Sequence, residues 1–215
     1  MTALAVHVIA SHVSVGVYEE LLRQAGFRLI AGADEAGRGA CAGPLVAAAV
    51  ILGETVPDGL DDSKRLTRRH RERLSDEIKE TALAVSCVMV SAADCDALGI
   101  QQADLHALRD AVLALRPAPD FAVTDGFAVP GLGCPSLGMW KGDQVVTCVA
   151  AASIIAKVAR DRLMVELDAS YPGYGFAAHK GYGTQAHQAA LVARGPCAEH
   201  RLTYRNVQVA LSSGA

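Results

Sequence analysis

Aromatic residues are scarce in this 215-residue chain, at 5%, and only one residue in five is charged. No C-x-x-C pair occurs. The six cysteines stand apart at positions 41, 87, 95, 134, 148 and 197, which excludes a zinc ribbon or knuckle and argues against a disulfide framework. Unpaired thiols read as small core hydrophobes, in keeping with a cytoplasmic location. No membrane span is expected: the uncharged run Gly39 to Gly53 has 15 residues and contains Pro44, short of the roughly 20 a bilayer requires. The apolar opening Met1–Val17 has no basic region and carries His7 and His12, so it is not read as a secretory leader. No internal repeat, low-complexity tract or Pro/Ser-rich linker interrupts the chain. One domain over residues 1–215 is the simplest organisation.

Hydrophobic residues make up 51% of the chain and Ala, Val and Gly dominate. That mixture suits tightly packed α/β layers better than a β-sandwich. Helical spacing over Val17–Ala25, closed by Gly26, predicts a short helix at about 16–26. Strands are expected at Phe27–Ala33 and at the continuous aliphatic run Leu45–Leu52, which reads as covered on both faces. Thr67 is placed to cap a helix carrying Leu74, Ile78 and Ala82. A third strand follows at Ala84–Val90, then a helix over Ile100–Leu115 stopped by Pro117. Phe121–Thr124 and Gln144–Val149 are read as the last strands. Helices follow at Ala150–Leu167 and Thr184–Val192, around a turn-rich Tyr171–Gly183. The pattern predicts an α/β fold with a central mixed five-stranded sheet and helices on both faces.

Charge is unevenly spread. Residues 1–156 hold 13 Lys and Arg against 19 Asp and Glu, whereas residues 157–215 hold 7 against 4. Lys64, Arg65, Arg68, Arg69, Arg71 and Arg73 form a basic knot within ten positions. Positive surface beside an acidic site suits a metal-dependent enzyme acting on a polyanion, although a solvated helix face explains the knot equally well.

Asp34 and Glu35 end an apolar strand, Asp125 ends another, and Asp143 sits in Lys141-Gly142-Asp143 before an apolar run. Buried carboxylates are costly unless a cation or strong donors compensate them. Acids at strand ends converge in one crevice of an α/β sheet. Oxygen ligands without His or Cys select Mg²⁺ or Mn²⁺, and such clusters hold two ions roughly 4 Å apart. The loop Gly37-Arg38-Gly39-Ala40-Cys41-Ala42-Gly43 is not a dinucleotide fingerprint: its third glycine comes one position late, and Pro44 with a strand follows where a helix is needed. No P-loop is present either. Gly37 and Gly39 instead offer bare backbone that can approach a ligand hydroxyl closely.

These residues resemble bacterial ribonuclease HII. The likeness runs in order through Asp34–Gly39, Ala42–Val50, Asp62-Ser63-Lys64-Arg65-Leu66, Asp125-Gly126 and Lys141–Asp143. It continues through Ala151–Asp161, Tyr171–Phe176 and His179–Thr184, covering about residues 29–205. The resemblance implies a ribonuclease-H-like fold, cleavage of RNA in RNA–DNA hybrids and incision 5′ of single ribonucleotides in duplex DNA. By motif match it implies that Asp34, Glu35, Asp125 and Asp143 are catalytic metal ligands for Mg²⁺ or Mn²⁺. Gly37, Arg38 and Gly39 would read the ribose 2′-hydroxyl, Tyr182 would stack on the next sugar, and Lys64, Ser153 and Lys157 fall in phosphate-contacting segments. His179 is either a substrate contact or a structural histidine. The segment at about 170–210 would complete the cleft, although His200-Arg201-Leu202-Thr203-Tyr204-Arg205 departs from the family's usual ending. The tail Asn206–Ala215 lacks the paired aromatics of a sliding-clamp peptide, so the partners expected are nucleic acid alone, with no membrane and no clamp, for a monomer. Other metal nucleases or resolvases of this fold, and a non-catalytic hybrid-binding protein, are the rival readings.

Overall fold

The computed structural model describes residues 16–60, 63–64 and 66–213. The expectations about residues 1–15, and Asp62 and Arg65 of the basic motif, lie outside the described residues. Strands β1 (Ile30–Ala36), β2 (Leu45–Ile51), β3 (Ala84–Val90), β4 (Phe121–Asp125) and β5 (Ser136–Met139) form one sheet in the order β3-β2-β1-β4-β5. Contacts from β1 to β2 and from β2 to β3 are antiparallel, whereas β1–β4 and β4–β5 are parallel. The helices are α1 (Val17–Gln24), α2 (Arg68–Thr81), α3 (Ala92–Leu98), α4 (Ile100–Ala114), α5 (Thr147–Ser170), α6 (Phe176–His179), α7 (Gln185–Arg194) and α8 (Arg205–Ser213). Among the described residues no helix is long and apolar enough to cross a membrane.

Side-chain alternation along β2 explains why its aliphatic run is continuous. Leu45, Ala47, Ala49 and Ile51 meet Ala103, Ala107 and Leu108 of α4 on one face. Val46, Ala48 and Val50 meet Leu74 and Ile78 of α2 and Ile154 and Ile155 of α5 on the other. Small residues let these layers close up. A Cβ on Gly32 would lie 2.1 Å from the carbonyl carbon of Cys148, so α5 rests directly on the β1 backbone. Thr67 caps α2 by accepting from the His70 amide at 3.3 Å, and Thr184 caps α7 by accepting from the His187 amide at 3.2 Å.

One strand differs from the sequence expectation. Residues Gln144–Val149 are not a strand: a 3₁₀ turn over Gly142–Gln144 runs into α5, and the fifth strand is Ser136–Met139. β-Branched Val145, Val146 and Thr147 favour a strand locally. Packing of Cys148 and Val149 against Ile30 and Val123 of the sheet overrides that preference. Helix α3, capped by Ser91, also went unread. The cysteines are unpaired, and Cys41, Cys95 and Cys148 are buried as expected, but Cys87 is exposed on β3.

Candidate active site

Alternation along β1 sends its two terminal acids to opposite faces of the sheet. Asp34 shares the Gly32 side and faces α5, where Ser153 hydrogen-bonds it. Glu35 faces α4, where Asp104 and Arg38 are its charged neighbours. Parallel pairing of Ala33 with Thr124 then sets Asp125 beside Asp34 at the carboxyl ends of two neighbouring strands. The fourth acid arrives differently from the expectation: Asp143 lies in the 3₁₀ turn before α5, not at a strand mouth. That turn is fastened to the sheet by the Gly142 amide, which donates to Asp125 Oδ1 at 2.6 Å.

Like charges and burial strain this cluster electrostatically. Burial first, and then Glu35 and Asp125, push Asp34 well above the usual carboxylate range, against the pull of Ser153. Glu35 is pushed up to about 8 by burial and by the charges of Asp104 and Asp125, with Arg38 opposing. Asp104, which sequence reading passed over, is pushed up to about 6 by burial, with Arg38 pulling it down and Asp125 raising it. Among the described residues no three carboxylate, imidazole or thiol groups close into a ready ligand shell. The acids are gathered by the backbone, and their repulsion is what a bound cation relieves.

The neighbouring loop is shaped by two buried arginines, Arg160 and Arg201, that were also missed. Arg160 of α5 donates to the carbonyls of Pro44 and Lys180 at 2.9 Å and of Ala42 at 3.0 Å. It occupies the space a Cβ on Gly37 would need, 1.8 Å from its Nε, and Gly37 has a left-handed φ of +90°. Gly39 differs: its φ is unremarkable, and nothing lies within 4 Å of a Cβ placed there. Arg38 points its side chain to α4, with Nε 3.1 Å from Asp104 Oδ2, a terminal nitrogen 3.0 Å from Gln101 Oε1, and Phe127 beneath the guanidinium.

The remaining candidates surround this centre. Lys64 Nζ, on a largely exposed side chain, lies 3.7 Å from Asp143 Oδ2. Ser153 is buried, its hydroxyl 2.8 Å from that of Ser63 and bonded to Asp34, so it sits beneath the acids. Lys157 pairs with Asp161 one turn on, and Asp161 also faces Arg71 at 3.8 Å. Arg71 belongs to the basic knot yet turns inward, donating to the carbonyls of Ser63 at 2.9 Å and Leu66 at 2.5 Å. Arg68 and Arg73 pair with Glu72 and Glu77 on their own helix. Part of the knot is thus a solvated face and part a brace for the loop that bears Lys64. Tyr182 is 40% exposed, with Arg160 5.6 Å from its ring centre.

His179 is structural: Nε2 donates to the Tyr174 carbonyl at 2.7 Å, and Nδ1 accepts from the Gly181 amide at 3.2 Å. It stacks on His187, whose Nδ1 donates to the Tyr182 carbonyl at 3.0 Å. His187 Nε2 therefore accepts from His200 Nε2, 3.1 Å away, and His200 Nδ1 accepts from the Cys197 amide at 3.0 Å.

A sequence model of the family described as Ribonuclease HII matches residues 31–207. The chain is 56% identical to ribonuclease HII of Salinispora arenicola over 197 residues, covering 89% of this chain and 73% of that protein. It is likewise 56% identical to ribonuclease HII of Cutibacterium acnes over 194 residues, covering 89% of this chain and 95% of that protein. Its fold resembles the crystal structure of ribonuclease H2 from Pyrococcus horikoshii, with a TM-score of 0.74 at 25% identity, covering 86% of this chain and 98% of that one. A match of this length and identity, on a sheet that gathers its acids where such a sheet binds ligands, shows that the chain belongs to the ribonuclease HII family and is a ribonuclease H endonuclease.

Proposed function

We propose that this endonuclease, which acts on RNA–DNA hybrids, also incises duplex DNA 5′ of a single embedded ribonucleotide, leaving 5′-phosphate and 3′-hydroxyl ends. Gly39 carries the reading. Neither its backbone conformation nor its surroundings demand glycine, so the missing side chain clears the approach of a ligand rather than of the protein itself. The 2′-hydroxyl is the group that tells RNA from DNA at one sugar. A backbone loop of Gly37, Arg38 and Gly39 next to the acids is built to touch it.

Asp34, Glu35, Asp125 and Asp143 would hold two divalent cations, Mg²⁺ or Mn²⁺. The donor set fits: it consists of hard oxygens, and the burial that raises Asp34 and Glu35, with the neighbouring negative charges that add to it, is what such cations offset. When bound, the cations supply charge stabilisation at the phosphate and activation of the attacking water. The chain itself orients the strand. Tyr182 offers a flat exposed face to the adjoining sugar, and Lys64 and Lys157 offer ammonium groups to phosphates. Ser153 holds Asp34 and Ser63 in place from below. Neither a serine nor a cysteine nucleophile is required. The reading takes the protein as a monomer and, in keeping with its unpaired cysteines, as cytoplasmic.

Cleavage of a labelled DNA duplex carrying one ribonucleotide, beside an all-DNA duplex, tests the proposal with Mg²⁺ or Mn²⁺ present. One cut 5′ of the ribonucleotide, absent in the control and with Asp125→Asn, is expected. Equal cutting of the all-DNA duplex would overturn it in favour of a less selective nuclease, and tight binding without cutting would favour a hybrid-binding role.

A further inference from the structure

Arg201 is fully buried, yet among the described residues no carboxylate pairs with it. Its charge is met by carbonyl oxygens. Nε and one terminal nitrogen donate to Gly43 at 3.2 and 2.9 Å, and the other terminal nitrogen donates to Gly37 at 2.8 Å and Arg38 at 3.1 Å. That same nitrogen donates at 3.1 Å to the Tyr204 hydroxyl, which in turn donates to the Arg38 carbonyl. The backbone around Arg201 is tied down as well: its amide donates to the Cys41 carbonyl at 2.8 Å, beside the Ala42–His200 bridge.

The consequence follows from peptide geometry. In a trans peptide the carbonyl and the N–H of the next residue point in opposite directions. Drawing the Gly37 and Arg38 carbonyls inward therefore turns the amides of Arg38 and Gly39 outward. Among the described residues neither amide has a hydrogen-bond partner, whereas the next two do: Ala40 donates to Gly37 at 3.2 Å and Cys41 to Gly181 at 3.0 Å. An isolated glycine-rich loop would leave these two donors free to rotate.

We infer that Arg201 and Tyr204 are positioning residues which aim the Arg38 and Gly39 amides at the sugar, and so set the preference for a 2′-hydroxyl. The inference rests on the proposed role of the Gly37–Gly39 loop. It gives the divergent segment 200–205 a function: Tyr204 supplies the hydroxyl that completes the clamp on Arg38.

Binding separates the two claims. In an Asp125→Asn background, fluorescence anisotropy would give the affinities for a duplex with one ribonucleotide and for the same duplex in DNA. Tyr204→Phe keeps the ring and removes only the hydroxyl. It is expected to reduce the ribonucleotide preference by about fivefold, the factor carried by one ordinary hydrogen bond, with the affinity for all-DNA duplex unchanged. Arg201→Lys is expected to reduce the preference further, with thermal melting reporting whether it folds. A merely structural role would weaken both duplexes alike and leave their ratio intact. An unchanged ratio in folded Tyr204→Phe overturns this inference, while no preference in the Asp125→Asn parent overturns the loop reading instead.

Discussion

Asp104 Oδ2 lies 3.1 Å from Arg38 Nε, while its Oδ1 is buried with no hydrogen-bond partner among the described residues. One side chain of α4 thus anchors the loop arginine and adds a negative charge beside Glu35. Asp104→Asn keeps the shape and removes the charge. Glu35 should then titrate below its present value of about 8, read by NMR of its carboxyl carbon in metal-free protein, and hybrid cleavage should slow several-fold as Arg38 loses its ion pair. An unmoved Glu35 titration would show that the Asp104 charge does not reach it.

Two glycines in one loop should respond in opposite ways. Gly37→Ala puts a Cβ 1.8 Å from Arg160 Nε at a φ of +90°. It should destabilise the fold by about 3 kcal/mol or more through overpacking and strain together. Gly39→Ala meets no protein atom within 4 Å and should melt like the parent, while losing at least tenfold in cleavage at a single ribonucleotide. Thermal melting alongside single-turnover cleavage distinguishes the two.

Removing one of the crowded charges should stabilise the metal-free protein. Asp125→Asn retains the oxygen that accepts from Gly142 and relieves Asp34 and Glu35, both of which feel Asp125. A gain of about 1 kcal/mol, or roughly 2–4 °C in melting temperature for a domain of this size, is expected in chelator. The parent should gain more than the variant when Mg²⁺ or Mn²⁺ is added. Equal melting in chelator would mean the repulsion is already relieved by protonation.

Acid should loosen the segment that carries Tyr182. Burial first, then the neighbouring His187, pushes His200 down to about 4. A histidine held neutral contributes stability above its unfolded value of about 6.5, and that contribution is lost as pH falls from there towards about 4. Protonation would place a second N–H on His200 Nδ1, face to face with the Cys197 amide that donates to that nitrogen. Urea unfolding should weaken by about 2 kcal/mol between pH 7 and pH 4.5, and His200→Asn should flatten that slope. A slope unchanged in the variant would place the acid sensitivity elsewhere.

Lys64 should act through charge alone. Its ammonium is exposed and 3.7 Å from Asp143, so Lys64→Ala should leave melting nearly unchanged. It should weaken binding of all duplexes alike and lower the slope of log affinity against log salt by about 0.9, one phosphate contact. A preserved slope would remove Lys64 from the phosphate path.

Much of the centre was legible in the chain because its signals are local. Asp34, Glu35 and Asp125 follow apolar runs directly, and the alternation of β2 is written in its own residues. Thr67 and Thr184 announce their helices by chemistry within one turn. The fifth strand was misread because β-branched Val145 and Val146 speak for a strand locally, while contacts with distant Ile30 and Val123 decide for the approach to a helix.

What no local signal could reveal was who holds the glycine loop. Arg160, Arg201 and Tyr204 lie more than a hundred residues from the carbonyls they bind at 37–44. Asp104 is one polar residue on an otherwise ordinary helix until the fold sets it beside Arg38. The sequence by itself determined the chemistry available: hard oxygen donors, bare backbone and cations. Tertiary structure decided which of these meet, because a buried arginine is tolerable only where distant carbonyls converge on it, and that convergence exists only once the sheet and its helices have closed.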